Sequence, residues 1–184
     1  MYSRSVLLLL TLALPALAPA QSEPVYVGRP IYQEPGAGLQ LPPGCTVDPT
    51  WRARLPNSDL ELWIVDCHAV VRTWLLRRTV IEVVNSNQSR LRLQVLDERQ
   101  WPGEVAGTTA SVQCVGRASG EAGVAIVGAK WRQSGNELRL TSASGAVRAD
   151  PATLRLVPLA TSQVDCLRFP EREAMLRRLQ TGPR

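Results

Sequence analysis

The sequence has one histidine, His68, and one lysine, Lys130. A single histidine excludes a zinc site built on several imidazoles. His68 follows Cys67, and a Cys–His pair can supply a nucleophile and a base. Adjacent residues on a strand point to opposite faces, however, so His68 reads as a structural or surface residue. There is no Cys-x-x-Cys pair and no Gly-x-Ser-x-Gly elbow, and the glycines from Gly116 to Gly123 lack a phosphate-loop lysine. Asp97-Glu98 and Glu171/Glu173 are the nearest approach to paired carboxylates. Nothing in their setting fixes the separation that acid–base hydrolysis needs. No catalytic set, cofactor fingerprint or metal cluster is legible, and no repeat period is visible.

Long apolar runs are also missing. The longest opens the chain, from Val6 to Leu14, after Arg4 and before Pro15. It falls short of the about 20 apolar residues that span a bilayer. Ala18-Pro19-Ala20 then places small residues where a signal peptidase reads. The order of charge, apolar run and small residues predicts a signal peptide over residues 1–20, cleaved after Ala20. No cysteine follows that position to take a lipid anchor. The chain is expected to work outside the cytoplasm, in a bacterial periplasm or the medium.

Four cysteines are present, Cys45, Cys67, Cys114 and Cys166. In an exported chain they read as two structural disulfides. Three pairings are open; nearness in sequence favours Cys45–Cys67 with Cys114–Cys166. The charge is Arg-rich, with 21 Lys and Arg against 16 Asp and Glu. Cleavage would remove Arg4 and lower the formal net charge of +5 by one. Arg suits bidentate contacts to carboxylate, sulfate and phosphate. Export makes nucleic acid an unsuitable partner and points to acidic protein, glycan or lipid head groups. The charge is spread along the chain rather than clustered, which fits compositional bias as well.

Residues 21–44 are rich in Pro and Gly and read as an extended N-terminal segment, with an echo in Pro24-Val25-Tyr26 and Pro30-Ile31-Tyr32. Residues 45–184 read as one β-rich domain. Asp48-Pro49 predicts a short helical turn with Asp48 as cap. Leu60 to Asp66 predicts a strand. The β-branched residues between Ala69 and Asn85 favour two strands over a helix. Arg90 to Leu96 alternates, with Leu91, Leu93 and Val95 inward and Arg90, Arg92 and Gln94 outward. It should pair with Thr79–Asn85 as a hairpin. Further strands are expected at Ser111–Gly116, at Val124–Arg132, and at Glu137–Thr141 after the Ser134-Gly135-Asn136 turn. Shorter candidates lie at Val147 and at Leu154–Val157. Pro170, Glu171 and Glu173 followed by Arg177, Arg178 and Gly182 predict a C-terminal helix.

The expected fold is all-β: an antiparallel sandwich or partly open barrel, stapled by disulfides and ending in a helix. The expected function is a non-catalytic exported module that binds another envelope or secreted protein. The alternative is binding of an anionic envelope glycan or lipid through an Arg-rich sheet face. A hydrolase ranks third. Five tryptophans are present, and Trp101 and Trp131 sit beside turns, which favours partial exposure. With Arg90, Arg92 and Arg139 they form the candidate binding set. Asn87-Gln88-Ser89 is a formal glycosylation sequon that a bacterial host would not use.

Overall fold

The computed structural model describes residues 25–86, 88–102 and 110–168. These residues form two antiparallel seven-stranded sheets. The first holds β1 (Pro30–Glu34), β2 (Gly38–Gln40), β3 (Cys45–Thr46), β4 (Arg52–Arg54), β5 (Leu60–Cys67), β6 (Val70–Asn85) and β7 (Gln88–Gln100). Its order is β2-β1-β7-β6-β5-β3, with β4 also on β5. The second holds β8 (Ser111–Gly116), β9 (Val124–Val127), β10 (Lys130–Ser134), β11 (Glu137–Ser142), β12 (Gly145–Asp150), β13 (Arg155–Pro158) and β14 (Val164–Arg168), in the order β10-β11-β14-β8-β9-β12-β13. No α-helix occurs among the described residues, and none of their helices is long and apolar enough to cross a membrane. The signal peptide and C-terminal helix expected from sequence lie outside them.

Alternation explains which strands form the core. On β5, Leu60, Leu62 and Ile64 meet Val71 and Leu75 of β6 and, from the other sheet, Val112, Ala125, Val127 and Val147. The intervening Trp63, Val65 and Cys67 turn to the opposite face of β5. There they pack with Trp74, Leu76, Leu93 and Val95, and the N-terminal residues Tyr26 and Ile31 close over them. Both faces of β5 are therefore covered, which is why it reads as an apolar run rather than a clean alternation. A third cluster around Cys114, Ile126, Val164 and Cys166 covers the far side of the second sheet, with Trp131 and Leu140 packed against it.

Residues 70–85 form one strand, where two were expected between Ala69 and Asn85. Val70 to Asn85 is continuous, and small register shifts absorb its irregularities. The two-residue turn His68-Ala69 leads into it, with both residues at positive φ (55° and 62°). That geometry matches the right-handed twist of a tight hairpin. The reverse holds at Val124–Arg132, which divides at Gly128, where φ is 60°, into β9 and β10. The Pro/Gly-rich stretch also contributes strands: Pro30–Gln33 pairs with Leu91–Gln94, so this arm docks on the edge of its own sheet.

Other expectations match. Asp48 accepts from the Thr50 amide at 2.8 Å and caps the turn Pro49–Trp51. Thr79–Asn85 and Arg90–Asp97 pair in a hairpin, and Leu91, Leu93 and Val95 are buried. Both favoured disulfides are present, each joining residues directly opposite across an antiparallel pair: Cys45 with Cys67, and Cys114 with Cys166. They suggest an oxidising environment.

Candidate functional site

Two features stand out on the first sheet: a ribbon and a cleft. The ribbon is the distal part of the β6–β7 hairpin. β5 pairs with β6 only from Val70 to Arg77, and the Arg78 amide donates to Asp59 O at 2.7 Å. Beyond that point no described strand pairs with the outer edge of β6. Seven consecutive residues there, Thr79 to Asn85, are exposed. Val80, Ile81, Val83 and Val84 are 49, 49, 69 and 48% exposed, and they make up half of the large apolar side chains left exposed among the described residues. Their β-branched shape suits an extended backbone, so the ribbon forms without a core beneath it. Glu82 is the one charge on this stretch, and Arg90 across the ladder holds it at 3.0 Å. The register shifts leave Ile81 and Val84 as extra residues on β6, two bulges that increase twist.

The cleft lies between β2, at one end of the first sheet, and β4, which pairs with β5 at the other. Its volume is about 540 Å³, and Gln33, Gly38, Leu39, Arg52, Arg54 and Glu61 are among its lining residues. Arg52 lies directly opposite Trp63 on β5, and its guanidinium stacks over the indole at 4.4 Å. Burial lowers the Arg52 pKa from its ordinary value, and the charge of Glu61 partly opposes this. Glu61 accepts from Trp63 Nε1–H at 2.8 Å and has Arg78 at 3.7 Å. Apart from the charge of Glu61 acting on Arg52, neither Arg52 nor Arg54 forms an ion pair among the described residues; the Arg54 guanidinium donates to Ser58 O at 3.3 Å. A second opening of about 440 Å³ shares Gln33 and Gly38 with this cleft and reaches Arg78, Gln88 and Leu91 at the ribbon's base.

The residues singled out from sequence are dispersed. Trp101 is buried rather than partly exposed: it is 6% accessible and donates to Thr73 Oγ1 at 2.9 Å. Pro102 ends the strand, but the ring turns inward against Gly145, whose missing side chain makes room for it. Trp131 is half-buried against the third cluster. Arg90 is ion-paired with Glu34 at 2.7 Å as well as with Glu82, and both carboxylates raise its pKa, the Glu34 hydrogen bond most. Arg92 is exposed on the same strand. Arg139 stands on the other sheet, exposed and paired with Glu137 at 3.1 Å. Arg90 and Arg92 thus share a face, and Arg139 does not join them.

Asp97 and Glu98 face opposite ways. A register shift between Leu75 and Leu76 leaves Leu96 as an extra residue on β7. Asp97 then turns toward the second sheet, where Leu156 N–H donates to it at 2.7 Å. Glu98 turns into the cluster beneath Tyr26, ion-paired with Arg72 and accepting from the Tyr26 amide at 3.0 Å. Each carboxylate holds structure together, and they do not form one site. His68 is exposed, and its amide donates to Gly44 O at 2.9 Å. Among the described residues no group of three or more His, Cys, Asp or Glu could hold a metal ion.

Sequence reasoning missed both features. The pattern of Thr79–Asn85 signals a hairpin and not its exposure, although Val80, Ile81, Val83 and Val84 outnumber the apolar positions that one buried face could take. The cleft depends on β4, which carries no strand signal of its own. Comparison of the chain with protein-family models, with curated proteins and with solved structures finds no match.

Proposed function

We propose that this chain is an exported, non-catalytic protein-interaction module that presents the β6–β7 ribbon as a template for a strand of another protein. The observation that carries the reading is the open edge of β6 beyond Arg77, with four large aliphatic residues exposed along it. An open apolar edge offers unpaired main-chain groups for affinity and alternate side chains for specificity. The bulges at Ile81 and Val84 disfavour unlimited self-pairing, because a twisted edge does not stack flat. The partner would be another envelope or secreted protein, in a bacterial periplasm or the medium. The scaffold in this reading is a sandwich whose first sheet curls toward a partly open barrel, and the helix expected after Pro170 completes it. Binding of anionic glycan or lipid through Arg90, Arg92 and Arg139 has less support. Two of the three are already ion-paired, and they lie on two sheets.

The test is a cross-linking pull-down of the oxidised protein from envelope extract, with wild type and Ile81→Lys/Val83→Lys compared in low and moderate salt. The expected result is a stoichiometric protein captured by wild type at both salts and lost with the double variant. It should also protect the amides of residues 79–84 from hydrogen exchange. Capture that ignores the substitutions, or recovery of acidic glycan or lipid alone that fades as salt rises, overturns the proposal.

A further inference from the structure

The cleft on the first sheet has the features of a second binding site, independent of the ribbon. Consecutive residues line it: Gly38 and Leu39 of β2, and Arg52, Ala53 and Arg54 of β4. Neighbouring residues on a strand point to opposite faces, so a run of neighbours marks a cleft that follows the strand's edge. β4 is such an edge, paired on one side with β5 and with no other described strand. The register fixes which main-chain groups are open. Leu55 N–H donates to Leu60 O at 2.9 Å, so Ala53 and Leu62, two residues along each strand, form the next hydrogen-bonded pair. Arg52 and Arg54 are then the non-hydrogen-bonded positions, and their amides and carbonyls point away from β5 into the cleft.

The side chains add charge to that edge. The Arg52 guanidinium is held flat by Trp63, which reduces the conformational freedom it would lose on gripping a carboxylate. Arg54 stands opposite Glu61, and Glu61 is already engaged by Trp63 and Arg78. Two cations that form no ion pair among the described residues, with the charge of Glu61 acting on Arg52 and already shared with Arg78, thus flank two open amides. We infer that the cleft takes an extended acidic peptide, which adds to β4 as a short antiparallel strand and places its carboxylates on Arg52 and Arg54. Main-chain pairing distinguishes this occupant from an acidic glycan, which would use the guanidinium groups alone.

The experiment uses the mature, oxidised protein and a blocked hexapeptide alternating Val and Glu, followed by amide NMR and hydrogen exchange. Saturable binding at millimolar probe or below is expected, with the Arg52 and Arg54 amides shifted and protected. Changing the probe's Glu to Gln should weaken binding about tenfold, the scale of a charged hydrogen bond. N-methylation of the probe's alternate amides should abolish protection with the protein unaltered, so the result does not depend on a variant's folding. Arg54→Gln, on an exposed side chain, should weaken binding about fivefold. No saturable binding, equal affinity for the Gln probe, or undiminished binding of the N-methylated probe would each overturn the inference. So would tighter binding of an oligogalacturonate that leaves both amides unprotected. The readout at residues 52 and 54 is separate from that at residues 79–84, so failure here leaves the ribbon proposal standing.

Discussion

Asp97 Oδ2 accepts the main-chain N–H of Leu156 at 2.7 Å, a bond that ties β7 of one sheet to β13 of the other. Arg155 adds an ion pair to the same carboxylate at 3.3 Å. The side chain of Asp97 is only 14% exposed, while that of Arg155 is 65% exposed. The amide contact therefore dominates, since an exposed ion pair contributes little. Asp97→Ala should lower stability by about 1–3 kcal/mol, because the Leu156 amide loses its acceptor. Arg155→Ala should change it by less than about 1 kcal/mol. Urea denaturation of the two variants checks the contrast; equal effects would refute it.

The Arg72–Glu98 pair is nearly sealed from water, with side-chain exposures of 10 and 2%. Removing one partner strands the other charge in the core. Arg72→Met and Glu98→Gln should each cost about 3–5 kcal/mol, and the double variant should cost less than the sum. A double-mutant cycle by denaturation measures this; additive losses would show the pair is not coupled.

Gly145 has no side chain because Trp101 occupies its space. A Cβ there would overlap Trp101 Cζ3. Gly145→Ala should destabilise by about 1–3 kcal/mol through overpacking and move the tryptophan emission. An Ala variant as stable as wild type, with unchanged emission, would contradict the buried position of Trp101.

The Asp150 carboxyl titrates below its ordinary value, chiefly through a hydrogen bond from the Thr153 side chain, helped by backbone donors and by Arg148. A pKa lowered in the folded state means a contribution present above the unfolded value and lost as pH falls through the folded one. Thr153→Val should therefore raise the Asp150 pKa toward that of a free aspartate. Carboxyl-resolved NMR titration reads it directly, and an unmoved midpoint would refute the assignment.

Reduction should weaken the two sheets unequally. The bridged cysteines are 22 and 52 residues apart. Loop-closure entropy assigns about 3 and about 4 kcal/mol to the two bridges. Cys114→Ser/Cys166→Ser should thus lose more stability than Cys45→Ser/Cys67→Ser, as thermal unfolding of the two variants would reveal.

How far the sequence reveals this fold depends on burial. Arg90 to Leu96 was legible because one face is buried and the other wet, so alternation shows. The turns at Asp48-Pro49 and Gly135 were legible because their residues match local backbone demands. Trp101 was misplaced because the neighbouring Pro102 signals a strand's end, not the direction of a ring. Val70–Asn85 was divided in two because a strand of 16 residues is longer than most, and its first half is buried on both faces while its second half is exposed on both. The Arg52–Trp63 stack was invisible for a different reason: it joins residues across a strand pair whose register no local pattern encodes.

The placement of the two bridges sets a limit on how far the chain can be drawn out by force. The loops closed by Cys45–Cys67 and Cys114–Cys166 follow one another in sequence and do not overlap. A pull on the two ends would straighten the segment between Cys67 and Cys114, which contains the ribbon, yet neither closed loop could lengthen. At about 3.4 Å per residue, roughly 75 Å and roughly 180 Å of slack would stay locked until a reductant cut each bond. The protein should therefore stretch in two further steps of unequal size as the bridges are opened, the larger belonging to the sheet that does not carry the ribbon.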